Sequence, residues 1–292
     1  MAGVDWEERI SRETNPAIRI EHETRYRMAA PAIRAAPVWC DLGCGNGIAA
    51  AAALGEPFAG RAVLVDLDED ALRQAEREIK ADETVALTAD LSVEEDLRRV
   101  RDALLDGSPG GGCVTCFEVV EHLANFVPLV ELFVELAEQH EFTVVISVPN
   151  DAFWALENPF HHTMWGEGAF EELRRLLPDD HVVARQVALQ GSLTLVDGAD
   201  GEAAHSVEVA AGHLAVPTHF LLGLGPNASR LAAAAAVGEA DLIERRRWER
   251  QRENDLAFLS ALEVERDEWR KYIHELEGRL GLPLSGSDEN PA

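Results

Sequence analysis

The sequence predicts an α/β protein with a doubly wound, mostly parallel seven-stranded sheet followed by a long C-terminal helix. Three observations carry this. Short apolar runs alternate with amphipathic stretches from Val38 onward, the first five runs are continuously apolar, and a glycine-rich turn follows the first of them. Continuous apolar strands separated by helices belong to a parallel sheet covered on both faces, because each strand is then buried on both sides. A chain of 292 residues has room for one such domain with additions.

In chain order, residues 5–36 read as helix with breaks at Pro16 and Pro31, which makes 1–36 an N-terminal helical cap. Strand candidates Val38–Leu42, Ala62–Val65, Thr84–Leu87, Cys113–Phe117 and Phe142–Val148 alternate with helix candidates Ile48–Leu54, Asp70–Ile79, Glu94–Leu105 and Leu123–Gln139. Two further runs, Val182–Leu189 and Thr218–Leu224, are separated by a stretch of mixed character and are free to pair differently. The sheet domain therefore spans 37–226. Beyond it, Leu259, Leu262, Arg266, Trp269, Ile273, Leu276 and Leu280 fall at spacings of 3 and 4, a heptad seam flanked by charges of both signs. This makes 238–281 a helical extension that buries its stripe either in a homodimer or against its own domain, and 282–292 a frayed tail.

Composition narrows the function. Hydrophobic residues at 47% and charged residues at 27% exclude a disordered or fibrous chain. The formal net charge is −27, of which the first 240 residues carry −23, and between Asp102 and Ala240 the only bases are Arg174, Arg175, Arg185 and Arg230. Such a surface repels phosphate backbones, so nucleic acid is a disfavoured partner. No apolar run approaches the ~20 residues of a membrane span. The start, Met1-Ala-Gly-Val-Asp-Trp-Glu-Glu, has neither the basic flank nor the apolar core of a secretory signal. A cytoplasmic protein without a membrane partner is expected. Cys113-x-x-Cys116 and Cys40-x-x-x-Cys44 invite a zinc reading, but all four lie on or beside expected buried strands, where free cysteine behaves as a small hydrophobe.

The sharpest local feature is Val38-Trp-Cys-Asp-Leu-Gly-Cys-Gly-Asn-Gly47, closing a strand and opening a helix. Its glycines let the backbone turn tightly and approach a ligand without interference from a Cβ, and the helix behind offers free N–H groups. Dinucleotide sites use a related loop. Here Asp41 stands two residues before the first glycine, where a carboxylate suits an ammonium group better than a pyrophosphate. That favours a nucleoside bearing an amino acid. Asp66 ends the second run and can accept both hydrogen bonds of a ribose diol. Asp90 follows the third run, where its carboxylate can accept from an adenine amino group while Leu91 covers the ring.

On these residues, 38–148 resemble a class I S-adenosylmethionine-dependent methyltransferase with a Rossmann-like fold. The glycine loop, Asp66, Ala89-Asp90-Leu91 and Thr115-Cys-Phe-Glu-Val-Val-Glu-His-Leu123 stand where that family's cofactor segments stand. The likeness extends to Glu21-His-Glu-Thr-Arg-Tyr26, similar to a His-x-x-Arg-Tyr element of methyltransferases in glycan and natural-product pathways. It also runs through Ser147-Val-Pro-Asn150 to Thr218-His-Phe-Leu-Leu-Gly-Leu-Gly225, similar to the family's seventh strand. The resemblance implies S-adenosyl-L-methionine as cofactor. It would place Asp41, Gly43 and Gly45 at the methionine moiety, Asp66 with neighbouring Leu67 at the ribose, and Asp90 and Leu91 at adenine. Phe117 and Glu118 would border the transferred methyl, and Tyr26 would join from the N-terminal element.

Methyl transfer to a hydroxyl needs a base or a metal, because the hydroxyl pKa is far above neutrality. Glu118, Glu121 and His122, spaced i, i+3, i+4, share a face if their segment begins a helix, and His161 and His162 follow over the same mouth. The catalytic candidates are His122, Glu121, Glu118 and His162, acting without a metal. A similar Glu-x-x-Glu-His with a later His surrounds a divalent ion in small-RNA 3′-terminal 2′-O-methyltransferases, and a purely structural role for the cluster is the third possibility. Trp154, Phe160, Met164 and Trp165 are candidates for an apolar acceptor wall or for core. The expected activity is O-methylation of a small-molecule or glycan acceptor: a sugar, glycan precursor or secondary metabolite. The alternatives are a metal-assisted RNA 2′-O-methyltransferase, a nucleotide-binding oxidoreductase and a non-catalytic scaffold.

Overall fold

The computed structural model describes residues 14, 16–106, 110–154, 158, 160–187 and 216–232, together with 262, 264, 266, 267 and 269–280. The chain divides into two units, Met1–Gly238 and Glu239–Ala292.

The first unit is built on seven strands: β1 (Val38–Leu42), β2 (Phe58–Asp66), β3 (Ala81–Thr88), β4 (Gly112–Phe117), β5 (Phe142–Pro149), β6 (Val182–Gln186) and β7 (His219–Leu224). Their order is β3-β2-β1-β4-β5-β7-β6. β1 to β5 are parallel, and β7 runs antiparallel to both β5 and β6. The order turns back between β1 and β4. Open α/β sheets take their ligands outside the carboxyl ends of the strands at such a switch point.

The period of two along each strand sorts its side chains between two cores. Val38, Cys40 and Leu42 of β1 join Val63 and Val65 on one face, under α4 (Glu94–Leu105) and α5 (Val127–Gln139). Trp39 joins Ala62 and Leu64 on the other, under α1 (Pro16–Ala35), α2 (Ile48–Leu54) and α3 (Glu69–Glu78). Cys113 faces the second core and Cys116 the first, so the C-x-x-C pair straddles the sheet and cannot close on one zinc ion. All four cysteines are free and buried.

Several boundaries differ from the sequence expectation. α1 continues through Pro31, which is exposed, so its ring meets solvent and one intrahelical bond is forgone without ending the helix. α5 begins at Val127 rather than Leu123, because Pro128 fits only the first turn. The segment ahead of it forms a short 3-10 turn at Val120–His122. β3 is an edge strand whose exposed Asp82 and Glu83 interrupt its apolar run, which is why the run looked shorter than the strand. Two short helices complete the unit, α6 (Asp151–Trp154) and α7 (Glu167–Arg174).

In the second unit, residues 269–280 are helical. Leu262, Trp269, Ile273 and Leu280 are exposed, while Leu276 is half-buried. Leu259 and the rest of the expected helix over 241–261 lie outside the described residues. Among the described residues no helix is long and apolar enough to cross a membrane.

Candidate active site

The carboxyl ends of β1 to β5 bring the sequence candidates to one rim. Gly43, Gly45 and Gly47 adopt φ of 70°, 55° and 74°, a region in which a side chain is strained. Their surroundings differ. A Cβ on Gly43 would stand 2.3 Å from Val119 Cγ2, and one on Gly47 would stand 2.9 Å from Ala75 Cα. A Cβ on Gly45 would meet nothing within 4 Å. Gly43 and Gly47 therefore allow tight packing, whereas Gly45 leaves open space over the loop. The Gly43 and Cys44 N–H groups donate to Val65 O at 2.8 and 3.0 Å, tying the loop to the end of β2.

Asp66 reinforces that tie. Its Oδ2 accepts from Gly45 N at 2.8 Å and its Oδ1 from Asp68 N at 3.0 Å. Leu67, next to Asp66, is exposed at the rim. Asp41 sits beneath the loop rather than lining it. It is fully buried, accepting from Thr115 Oγ1 at 2.6 Å and from Tyr26 OH at 2.9 Å on Oδ2, and Trp39 Nε1 in turn donates to Thr115 Oγ1. Burial pushes the Asp41 carboxyl up to about 7, against the pull of its two hydroxyl donors. Tyr26 packs edge-on against Phe117 with centroids 4.9 Å apart. Asp90 follows β3 with its Oδ1 accepting from both the N–H and Oγ of Ser92, while Leu91 is buried.

The expected catalytic group divides into two nests, because Val120–His122 is a 3-10 turn and not the start of a helix. Glu118, with φ of 56°, turns toward β5 and β7. Ser147 Oγ donates to its Oε1 at 2.7 Å, and His219 Nε2 lies 3.2 Å from its Oε2. Burial opposes its charge, but His219 and Arg25 outweigh burial and hold this carboxyl well below the usual range. Glu121 is buried with its Oε2 unpartnered among the described residues, and burial followed by the Glu118 charge pushes its carboxyl well above the usual range.

Around Glu121 stand His122 and His161. His122 Nδ1 lies 3.2 Å from Phe160 O, and His161 Nδ1 lies 2.9 Å from Asp151 Oδ1. Both partners are acceptors, so a neutral ring at either position carries its hydrogen on Nδ1 and its lone pair on Nε2. The two rings meet edge-on at 5.1 Å, and one ligand atom from each of Glu121, His122 and His161 lies within 4.8 Å of the others. His162 does not join them. Its N–H donates to Glu121 O, while its side chain is exposed. Trp165 is core, packed near Phe126 and sharing Asp151 through its N–H, while Phe153, Trp154, Phe160 and Met164 stand exposed at the rim.

The sequence reading names His161 beside His162 but chooses His162, and three further residues, Asp151, His219 and Arg25, are not singled out there as site residues. His161 and Arg25 are chain neighbours of chosen residues, and Asp151 directly follows β5. Only the pairing of β7 with β5 brings His219 to Glu118.

No family model matches the chain, and no curated protein matches it. Solved structures to which it is similar include a SAM-dependent methyltransferase from Archaeoglobus fulgidus, at 18% identity, covering 70% of this chain and 93% of that one, with a TM-score of 0.46. Another is the small RNA methyltransferase HEN1, at 14% identity, covering 80% of this chain and 28% of that one, with a TM-score of 0.44. A third is the plantazolicin methyltransferase BpumL in complex with SAH, at 14% identity, covering 72% and 85% of the two chains, with a TM-score of 0.41.

Proposed function

We propose that this protein is an S-adenosylmethionine-dependent methyltransferase acting on a hydroxyl of a sugar, glycan precursor or secondary metabolite. The observation that carries this reading is the ordered series of carboxylates at the strand ends. Asp41 lies near the end of β1 beneath the glycine loop, Asp66 closes β2 onto Gly45, and Asp90 follows β3. The residues fit the cofactor: open space over Gly45, the Asp66 carboxylate bonded to that loop at the end of β2, and an exposed apolar Leu67 beside it. Acids near the other end suit a cationic ligand. When bound, the cofactor supplies an electrophilic methyl group together with its own leaving group.

The chain's own work is then to position the acceptor and take its proton. His161, whose Nδ1 is held by Asp151, would serve as the proton acceptor through Nε2, with His122, whose Nδ1 is held by Phe160 O, beside it. Glu118 keeps a negative charge at the end of β4, which favours a cation beside Phe117. The exposed Phe153, Trp154 and Phe160 offer flat faces to a sugar or an aromatic acceptor. A net charge of −27 disfavours a polyanion.

One observation favours a second reading, metal-assisted RNA 2′-O-methylation. Glu121, His122 and His161 form a carboxylate–imidazole donor set suited to a divalent ion, with both histidines oriented through Nδ1. These three residues would hold such an ion. Chelation with EDTA followed by addition of Mg²⁺ or Mn²⁺ decides between the readings: activity unaffected by EDTA supports the histidine base, and activity lost and then restored supports the metal.

Titration calorimetry tests the cofactor. S-adenosylhomocysteine is expected to bind and NAD is not. The Asp66→Ala variant should bind S-adenosylhomocysteine more weakly by about 1–3 kcal/mol, the range for leaving hydrogen-bonding groups without their partner. Binding of NAD in place of S-adenosylhomocysteine would turn the reading to an oxidoreductase.

A further inference from the structure

We infer that the acceptor is a phenol on a flat apolar ring system, received by Phe153, Trp154 and Phe160, an inference that rests on the methyltransferase reading above. Among the described residues of the first unit these three are the exposed large aromatic side chains, at 38–44%. Single exposed apolar residues are ordinary, but a group of them beside a candidate site marks a binding surface. Hydrogen bonds tie this group to the two histidines. α6 begins at Asp151, and the N–H groups of Phe153 and Trp154 donate to Asn150 O at 2.9 and 3.3 Å. Asp151 in turn holds His161 Nδ1, while Phe160 O holds His122 Nδ1. The Phe153 and Trp154 rings meet edge-on with centroids 5.0 Å apart, and the His219 ring lies 6.1 Å from that of Trp154.

The lining separates a phenol from a sugar. A sugar requires polar side chains to read its several hydroxyls, and this segment offers few. Of the described residues 151–165, the exposed ones are Ala152, Phe153, Trp154, Phe160, His162 and Met164, five apolar and one imidazole. Asn158 turns its Oδ1 to the Phe160 N–H at 3.0 Å, and buried Asp151 has one oxygen on His161 and the other on the Trp165 N–H. A flat acceptor with one hydroxyl matches such a surface. Acidity points the same way. A phenol, with a pKa of about 10, gives its proton to an imidazole more readily than an aliphatic hydroxyl, whose pKa lies higher. In the reaction the phenol O–H bond breaks and its proton passes to His161 Nε2. The oxygen bonds the methyl carbon as the methyl–sulfur bond breaks, with the electron pair left on sulfur. The products are an aryl methyl ether and S-adenosylhomocysteine.

Calorimetry on the full chain saturated with S-adenosylhomocysteine tests this, with 2-naphthol and methyl α-glucoside as probes. Naphthol is expected to bind about tenfold or more tighter than the glucoside. Trp154→Ala and Phe160→Ala should each weaken naphthol about fivefold, the scale of one aromatic contact, while S-adenosylhomocysteine affinity stays within about twofold. Trp154→Phe keeps a flat ring and should recover most of the loss. With S-adenosylmethionine in place of S-adenosylhomocysteine, mass spectrometry should find the methyl ether of 2-naphthol. Glucoside bound as tightly as naphthol, or no binding of naphthol, overturns the inference. Naphthol affinity unchanged in both alanine variants places the ligand elsewhere and overturns it too, and naphthol that binds but is not methylated overturns the phenol assignment. A chain that does not bind S-adenosylhomocysteine overturns the methyltransferase reading and the inference with it.

Discussion

Asp41 and Asp66 are both aspartates at the ends of adjacent strands, yet their surroundings give them different physics. Asp66 is 9% exposed and bonded to two backbone N–H groups, whereas Asp41 has no exposure and two hydroxyl donors. With its folded carboxyl raised from 3.8 to about 7, Asp41 holds a proton in the folded state that the unfolded chain has already released. Its contribution to stability is thus present in full below about pH 4 and is lost as pH rises to about 7. Asp41→Asn should remove this loss. The stability difference between wild type and variant should change by up to ~1.4 kcal/mol per pH unit across that window. A difference that is flat with pH would mean that Asp41 is ionised throughout. At the other nest, His161→Ala and Asp151→Asn should lower turnover by one to three powers of ten while leaving cofactor affinity within about twofold, the pattern of groups that handle the acceptor's proton. His162→Ala, altering an exposed ring, should leave turnover nearly unchanged.

Among the elements, the glycine loop makes the sharpest demand on sequence. Gly43→Ala would combine a left-handed backbone with a Cβ 2.3 Å from Val119 Cγ2. Strain and overpacking together predict a loss of about 2–4 kcal/mol, read by denaturant unfolding. Gly45→Ala carries the same φ penalty without a clash, so it should cost stability by only ~1–2 kcal/mol while weakening cofactor binding. Equal losses for the two would show that the space over Gly45 is not a ligand site. The loop and strands β1, β4 and β5 were legible in the sequence because burial on both faces leaves an uninterrupted apolar run. The start of α5 was not, since apolar Leu123 continues its pattern and only Pro128 marks the true first turn. This one boundary changed the site. A helix beginning in the segment from Glu118 would have kept Glu118, Glu121 and His122 on one face, whereas the 3-10 turn sends Glu118 to Ser147 and His219 and leaves Glu121 with the histidines. Periodicity cannot report a partner that arrives from β7, about a hundred residues later in the chain.

At the scale of the molecule, the two units make separate claims. In the second, Leu262, Trp269, Ile273 and Leu280 are 42–70% exposed on a helix. At ~1.5–3 kcal/mol for each large side chain removed from water, pairing with a second copy is the expected outcome. Light scattering should find the full chain dimeric and a chain ending at Val237 monomeric, and a monomeric full chain would contradict this. In the first unit, the residues assigned to the cofactor, Tyr26 on α1 apart, stand at the carboxyl ends of β1 to β4, on the side where the strand order turns back. Hydrogen–deuterium exchange with and without S-adenosylhomocysteine tests that placement most directly. The account predicts slowed exchange at Asp41–Gly47, at Asp66–Asp68, at Ala89–Leu91 and at Phe117–Glu118, with no change at the opposite ends of the strands around Gly112 and Gly225. Protection at that opposite rim, or none at either, would contradict it.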